Sequence, residues 1–236
     1  MELKKNCDTI RMMVKGGVLT PSYFLKILDI ARKAGNSTIG FGSRQDIIFN
    51  LPIRAKEGVT EALKDLKIEY GFKKVKGETL QNIVSSFVSA DILASTQWLN
   101  SGNYIQILDL FTYKHQLRIN ITDPKQSLVP LFYGHINFVA SPSKHYWFVY
   151  LRLPESKTIY KWPALIYTTD IPVLAQAIEE SWLSSHKVKI EDLASRVMNL
   201  TRLNQKPADI EMEQPKSFSA DYEGFGRMHD SDKYWA

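Results

Sequence analysis

The order and spacing of apolar residues predict an α+β protein of two parts. The first reads strand, helix, strand, strand, helix; the second reads as a mixed sheet with helices. Three stretches carry this expectation. Residues 21–34 repeat apolar side chains at helical spacing. Residues 38–52 hold two short apolar runs around the polar Ser43-Arg44-Gln45-Asp46. Residues 145–154 are rich in aromatic and β-branched side chains, which favour a strand.

Taken in order, "DTIRMMVK" (8–15) alternates as a strand, and Gly16-Gly17 ends it. In "LTPSYFLKILDIARKAG", Thr20 suits the N-cap, Pro21 the first helical position and Gly35 the stop. Phe24, Ile27, Leu28 and Ala31 fall on one face of that helix. "TIGFG" and "DIIFNLP" read as strands joined around Ser43–Asp46. A second helix is expected over "KEGVTEALKDLKI", with Val59, Ala62, Leu63 and Leu66 buried. A last, weak strand is placed near "YGFKKVK". This is a ferredoxin-like β-α-β-β-α-β unit, assigned to residues 1–74.

A break is expected around "KKVKGE", followed by a second domain over 75–206. There "TLQNIVSSFVS" begins extended, and "ADILASTQWLNSGNYIQILDLFTYK" reads as largely helical around an interruption at Ser101-Gly102. "HQLRINITDP", "HINFVAS" and "HYWFVYLRLP" read as strands. A helix over about 171–185 should bury Val173, Leu174, Ala177, Ile178 and Trp182. Another, over about 190–203, should bury Leu193, Val197 and Leu200. Residues 207–236 read as a tail or as the start of a further segment.

Composition narrows function. The chain has 236 residues, 44% of them apolar, enough for a sizeable core. It has no apolar run long enough for a transmembrane helix and no secretory leader pattern. One cysteine, Cys7, fits a reducing cytoplasm and rules out an internal disulfide. The net charge is +5, but the basic residues are dispersed, without the stripe and interleaved aromatics of a nucleic-acid module. No His/Asp/Glu group has metal-ligand spacing.

The stretch "GGVLTPSYFLKILDIARKAGNSTIGFGSRQDIIFNLP" resembles the ferredoxin-like half-domain of the nitrite and sulfite reductases. Gly16-Gly17-Val18, the 21–34 helix, Gly35 and Ser43-Arg44-Gln45 stand in the places of that family's motifs. "LQNIVSS" is similar to the segment that opens its siroheme domain, and "HQLRINITDPKQSLVPLFYGHINFVAS" to the basic strand and the strand beyond it. The resemblance spans about residues 8–205. It implies a ferredoxin-like half-domain followed by the first half of a siroheme-type domain. It further implies an oxidoreductase that reduces nitrite or sulfite at siroheme coupled to a four-iron four-sulfur cluster.

Carried over by position, the resemblance puts Arg44 at the turn arginine that faces an oxyanion or a siroheme carboxylate. Gln81 stands where the family has an arginine, before Asn82-Ile83-Val84. Gln116 and Arg118 stand at two lysine positions, and His115 is a candidate proton source beside Arg118. A glutamine can hydrogen-bond an oxyanion but brings no charge. The family's cluster ligands are two cysteine pairs in the second siroheme-domain half. With Cys7 alone, this chain cannot ligate such a cluster, so siroheme and cluster are expected only with a cysteine-bearing C-terminal half. The expected partners are that half, a small oxyanion and an electron donor protein. The alternatives are a binding or electron-transfer module that kept the fold without the redox site, and a basic module unrelated to redox chemistry.

Overall fold

Alternation in the first strand, β1 (Cys7–Met12), turns Ile10 and Met12 inward, both fully buried. The strand pairs antiparallel with β3 (Ile47–Pro52) in the register Ile10↔Phe49 and Met12↔Ile47. On its other side it pairs with β4 (Tyr70–Phe72), and β2 (Gly40–Phe41) closes the far edge on β3. The order β2-β3-β1-β4 is the arrangement a ferredoxin-like unit requires. In this computed structural model residues 7–72, 82–90, 96–126, 128–154, 158–184 and 189–209 are described.

Helix α1 (Pro21–Lys33) begins where expected, with Thr20 Oγ1 accepting the Tyr23 N–H at 3.3 Å and Pro21 at its first position. It lays Ile27 and Ala31 on the sheet. Helix α2 (Lys56–Asp65) adds Val59 and Leu63 to the same core, with Phe49 and Leu51 from β3. Tyr23 Oη donates to the Leu66 carbonyl beyond α2.

The chain divides into two units, Met1–Ile83 and Val84–Ala236. The expected break near residue 74 lies outside the described residues. In the second unit β5 (Val84–Ser85), β6 (Ile119–Thr122) and β7 (Ile136–Ala140) run parallel. From β7 the pairing turns antiparallel through β8 (Tyr146–Leu151), β10 (Ala164–Tyr167) and β11 (Gln205–Pro207). The two-residue β9 (Tyr160–Lys161) pairs with β8. Every residue of β6 and β7 is buried, as expected of strands covered on both faces. Trp147, Phe148 and Tyr150 of β8 pack into the core.

Several expectations are corrected. The long helix around residue 100 is only α3 (Ser101–Leu110) in its described part. Asn100 and Asn103 satisfy each other's backbone N–H groups in a capping box, which fixes the start of the helix at Ser101. The strand expected from His115 begins only at Ile119, because the N–H groups of Gln116 and Leu117 go to a side chain instead of a neighbouring strand. Helices α4 (Ile171–Ser184) and α5 (Ile190–Leu200) are present. However, Val173 is 53% and Leu200 76% exposed; the buried face of α4 runs through Ile171, Leu174, Ala175 and Ile178. The strands β9, β10 and β11 have no counterpart in the sequence reading. All are short segments, β9 and β10 paired with β8 and β11 with β10, too short for their own periodicity to mark them.

Candidate functional site

In the first unit the hairpin turn is built around one buried guanidinium. Arg44 is 3% exposed, and its Nη2 donates to the Asn82 carbonyl at 2.7 Å. The Asn82 side chain answers by donating from Nδ2 to the carbonyls of Val14 (2.6 Å), Arg44 (2.8 Å) and Gln45 (3.2 Å). Gly16 N–H donates to Ile83 O at 2.7 Å. Three stretches distant in sequence, 14–17, 42–46 and 82–83, are thus tied into one node. Asn82 Oδ1 is buried and, among the described residues, has no hydrogen-bond partner.

The double glycine that ends β1 is needed here. Gly17 has φ +69°, and a Cβ on it would stand 3.1 Å from the Gln45 side chain. Asp46, fully buried, takes Arg11 Nε at 2.5 Å, and this pair holds the other side of the turn. Arg44 is therefore a fixed cation, oriented by the Asn82 carbonyl, and not a solvated turn residue.

In the second unit the run before β6 presents the other candidates. Gln116 is exposed, Leu117 is 3% exposed and Arg118 is half-buried. The Arg118 guanidinium lies 5.5 Å from the Tyr133 ring centroid, within cation–π range. Its N–H donates to His135 Nδ1 at 3.0 Å, while its carbonyl accepts from the N–H groups of His135 (2.7 Å) and Ile136 (3.0 Å). That geometry gives His135 the tautomer with its proton on Nε2. His115 is placed differently from the sequence expectation: it is 3% exposed and packs edge-on against the rings of Phe111 (6.0 Å) and Tyr113 (5.7 Å).

Gln116 and Leu117 are held by Glu179 of α4, whose Oε2 accepts their N–H groups at 2.9 and 2.6 Å. Burial raises the Glu179 carboxyl above its ordinary value, the two backbone bonds oppose that shift, and the neighbouring Glu180 adds to it. Burial and the Glu179 charge likewise raise the Tyr113 hydroxyl.

Of the sequence candidates, Arg118, Gln116 and His115 thus fall in one short run of the second unit and Arg44 in the first; Gln81 lies outside the described residues. Sequence reasoning missed Asn82 and Glu179 as parts of these sites. Glu179 had a readable signal: it follows Ala175 by one helical turn and so is an acid on the apolar face. Asn82 had none, because its partners are backbone groups set by the fold. Among the described residues no group of three or more His, Cys, Asp or Glu could hold a metal ion.

Residues 3–66 match the model of the nitrite/sulfite reductase ferredoxin-like half-domain. Within this stretch the fold is that of the half-domain. The NirA protein of Mycobacterium tuberculosis superposes with a TM-score of 0.61 at 12% identity, over 89% of this chain. The chain spans 43% of the length of that structure. No curated protein matches the sequence. No helix among the described residues is long and apolar enough to cross a membrane.

Proposed function

We propose that the chain forms one half of a nitrite/sulfite reductase-like redox protein and contributes basic and amide side chains to a siroheme and oxyanion pocket. A cysteine-bearing second half would complete that pocket. The observation that carries this reading is Arg44, a buried guanidinium fixed by Asn82 within the half-domain matched by the family. Preorganised cations bind an anion more strongly than mobile ones, because little reorganisation is left for the binding step.

The residues fit an anionic ligand. Arg118 offers a partly exposed guanidinium braced by Tyr133, and Gln116 an exposed amide donor beside it. The partly exposed Arg118 guanidinium can take a siroheme carboxylate or a substrate oxygen in a two-pronged contact, while Arg44, with Nη2 on the Asn82 carbonyl, adds a fixed positive charge. When bound, siroheme would supply the iron to which the anion attaches and through which electrons arrive. This chain's own tasks are to neutralise and orient the anion and to keep donors near its oxygens. The residues do not fit an iron–sulfur cluster, since a single cysteine cannot provide four thiolates.

A second reading is favoured by Gln116 and Gln81. Both bring amides to positions where the resemblance implies cations, as a binding or electron-transfer module that had lost the reaction would tolerate. Titrating the 236-residue chain, paired with a cysteine-bearing second half, with siroheme and following its absorption tests the first reading. Tight binding that weakens about tenfold or more in Arg118→Gln supports it. Binding indifferent to both Arg44→Gln and Arg118→Gln favours the module.

A further inference from the structure

We propose that Glu179 is the positioning residue of the second-unit site: its carboxylate holds the peptide run from which Gln116 and Arg118 project. What that run is for rests on the oxyanion reading above; the holding role does not.

Residues 112–118 lie between α3 and β6 without regular structure, so their N–H groups have no ladder or helix to enter. Two successive amides converge on one oxygen of Glu179, at 2.9 and 2.6 Å. The next amide, of Arg118, goes to His135 Nδ1 at 3.0 Å. Three consecutive N–H groups are therefore satisfied by side chains. Fixing consecutive peptide planes fixes the side chains between them. Leu117 is buried, while Gln116 is exposed and Arg118 half-buried.

An acid is a costly choice at this place. Glu179 is 5% exposed on a helix face otherwise built from Ile171, Leu174, Ala175 and Ile178. Among the described residues it forms no salt bridge. The titratable groups that bear on it are Glu180 and Tyr113, with His115 beside Tyr113, and none of these repays its desolvation. Its compensation is the pair of backbone amides. Hydrogen bonds to an ionised acceptor are about twice as strong as neutral ones. An apolar residue would fill the space equally well but would leave the buried Leu117 N–H without an acceptor.

Amide NMR of the 236-residue chain tests this with two variants. In the wild type, the Gln116 and Leu117 amide signals should move together with pH, with a midpoint above the ordinary carboxyl value of 4.5. Glu179→Gln keeps an acceptor oxygen and loses the charge: the titration should vanish while both amides stay protected from exchange. Glu179→Ala should speed their exchange about tenfold or more, with amides of residues 7–72 unchanged. Sulfite should shift the Arg118 side-chain N–H signal in the wild type and in Glu179→Gln, and much less in Glu179→Ala. Protected amides in Glu179→Ala, or amides in the wild type that do not titrate, would overturn the proposal. If Glu179→Ala does not fold, the wild-type titration and its loss in Glu179→Gln still decide. An intact exchange pattern with no response of Arg118 to sulfite in the wild type overturns the oxyanion reading alone and leaves the holding role supported.

Discussion

Single side chains that bond to the backbone carry more of this fold than their number suggests, and each gives a definite expectation. Asn82 supplies one amide to three carbonyls. Asn82→Ala should lower the stability of the first unit by about 3 kcal/mol, since buried acceptors lose their donor; urea unfolding measures it. Gly17→Ala combines a left-handed φ of +69° with a contact at 3.1 Å to Gln45. It should cost about 1–3 kcal/mol in the same assay, the range for a side chain forced into the left-handed region. Glu179 gives a pH dependence of known sign. Its folded carboxyl titrates above its unfolded value, so the folded state holds a proton that the unfolded chain has lost. Stability from this group is present below pH 4.5 and falls as pH rises through the raised folded value; Glu179→Gln should flatten that slope. At this scale the sequence was legible in residue type only. Arg44 stood out as an arginine in a turn, but that Asn82 fixes it depends on a pairing 38 residues apart.

Elements were legible wherever a face is long and periodic. Helix α1 followed from Thr20, Pro21 and the stripe through Ile27 and Ala31, because cap chemistry and burial agree there. Helix α4 was placed correctly along the chain but rotated in its buried face, since Val173 and Leu174 are equally apolar and only tertiary contacts choose between them. Leu174→Ala should therefore cost about 2–4 kcal/mol as a cavity in the core. Val173→Ala should stay within about 0.5 kcal/mol, because Val173 is 53% exposed. Thermal unfolding of the two variants side by side checks that rotation. The run before β6 shows the opposite limit. "HQLRINIT" alternates like a strand from its first residue, yet the ladder starts at Ile119 because a carboxylate from α4 captures the preceding amides. Short strands such as β10 and β11 carry too few residues for a period of two to stand out from the turns around them.

At the scale of the whole molecule, a ferredoxin-like unit and a mixed sheet were readable from element order, but not that β5, β6 and β7 run parallel. The chemistry was readable only as a set of cations and amides that suit an anion, with one cysteine where a cluster needs four. The account predicts that siroheme and an iron–sulfur cluster are held only when a cysteine-bearing half accompanies this chain. The direct test is an absorption spectrum of the chain produced anaerobically with such a half in cells that make siroheme, with iron and acid-labile sulfide assayed on the same sample. The account predicts a Soret band with long-wavelength siroheme absorption, iron and sulfide for the pair, and none of these for the chain alone. A pair that stays colourless and iron-free after reconstitution with siroheme and a cluster source would contradict it.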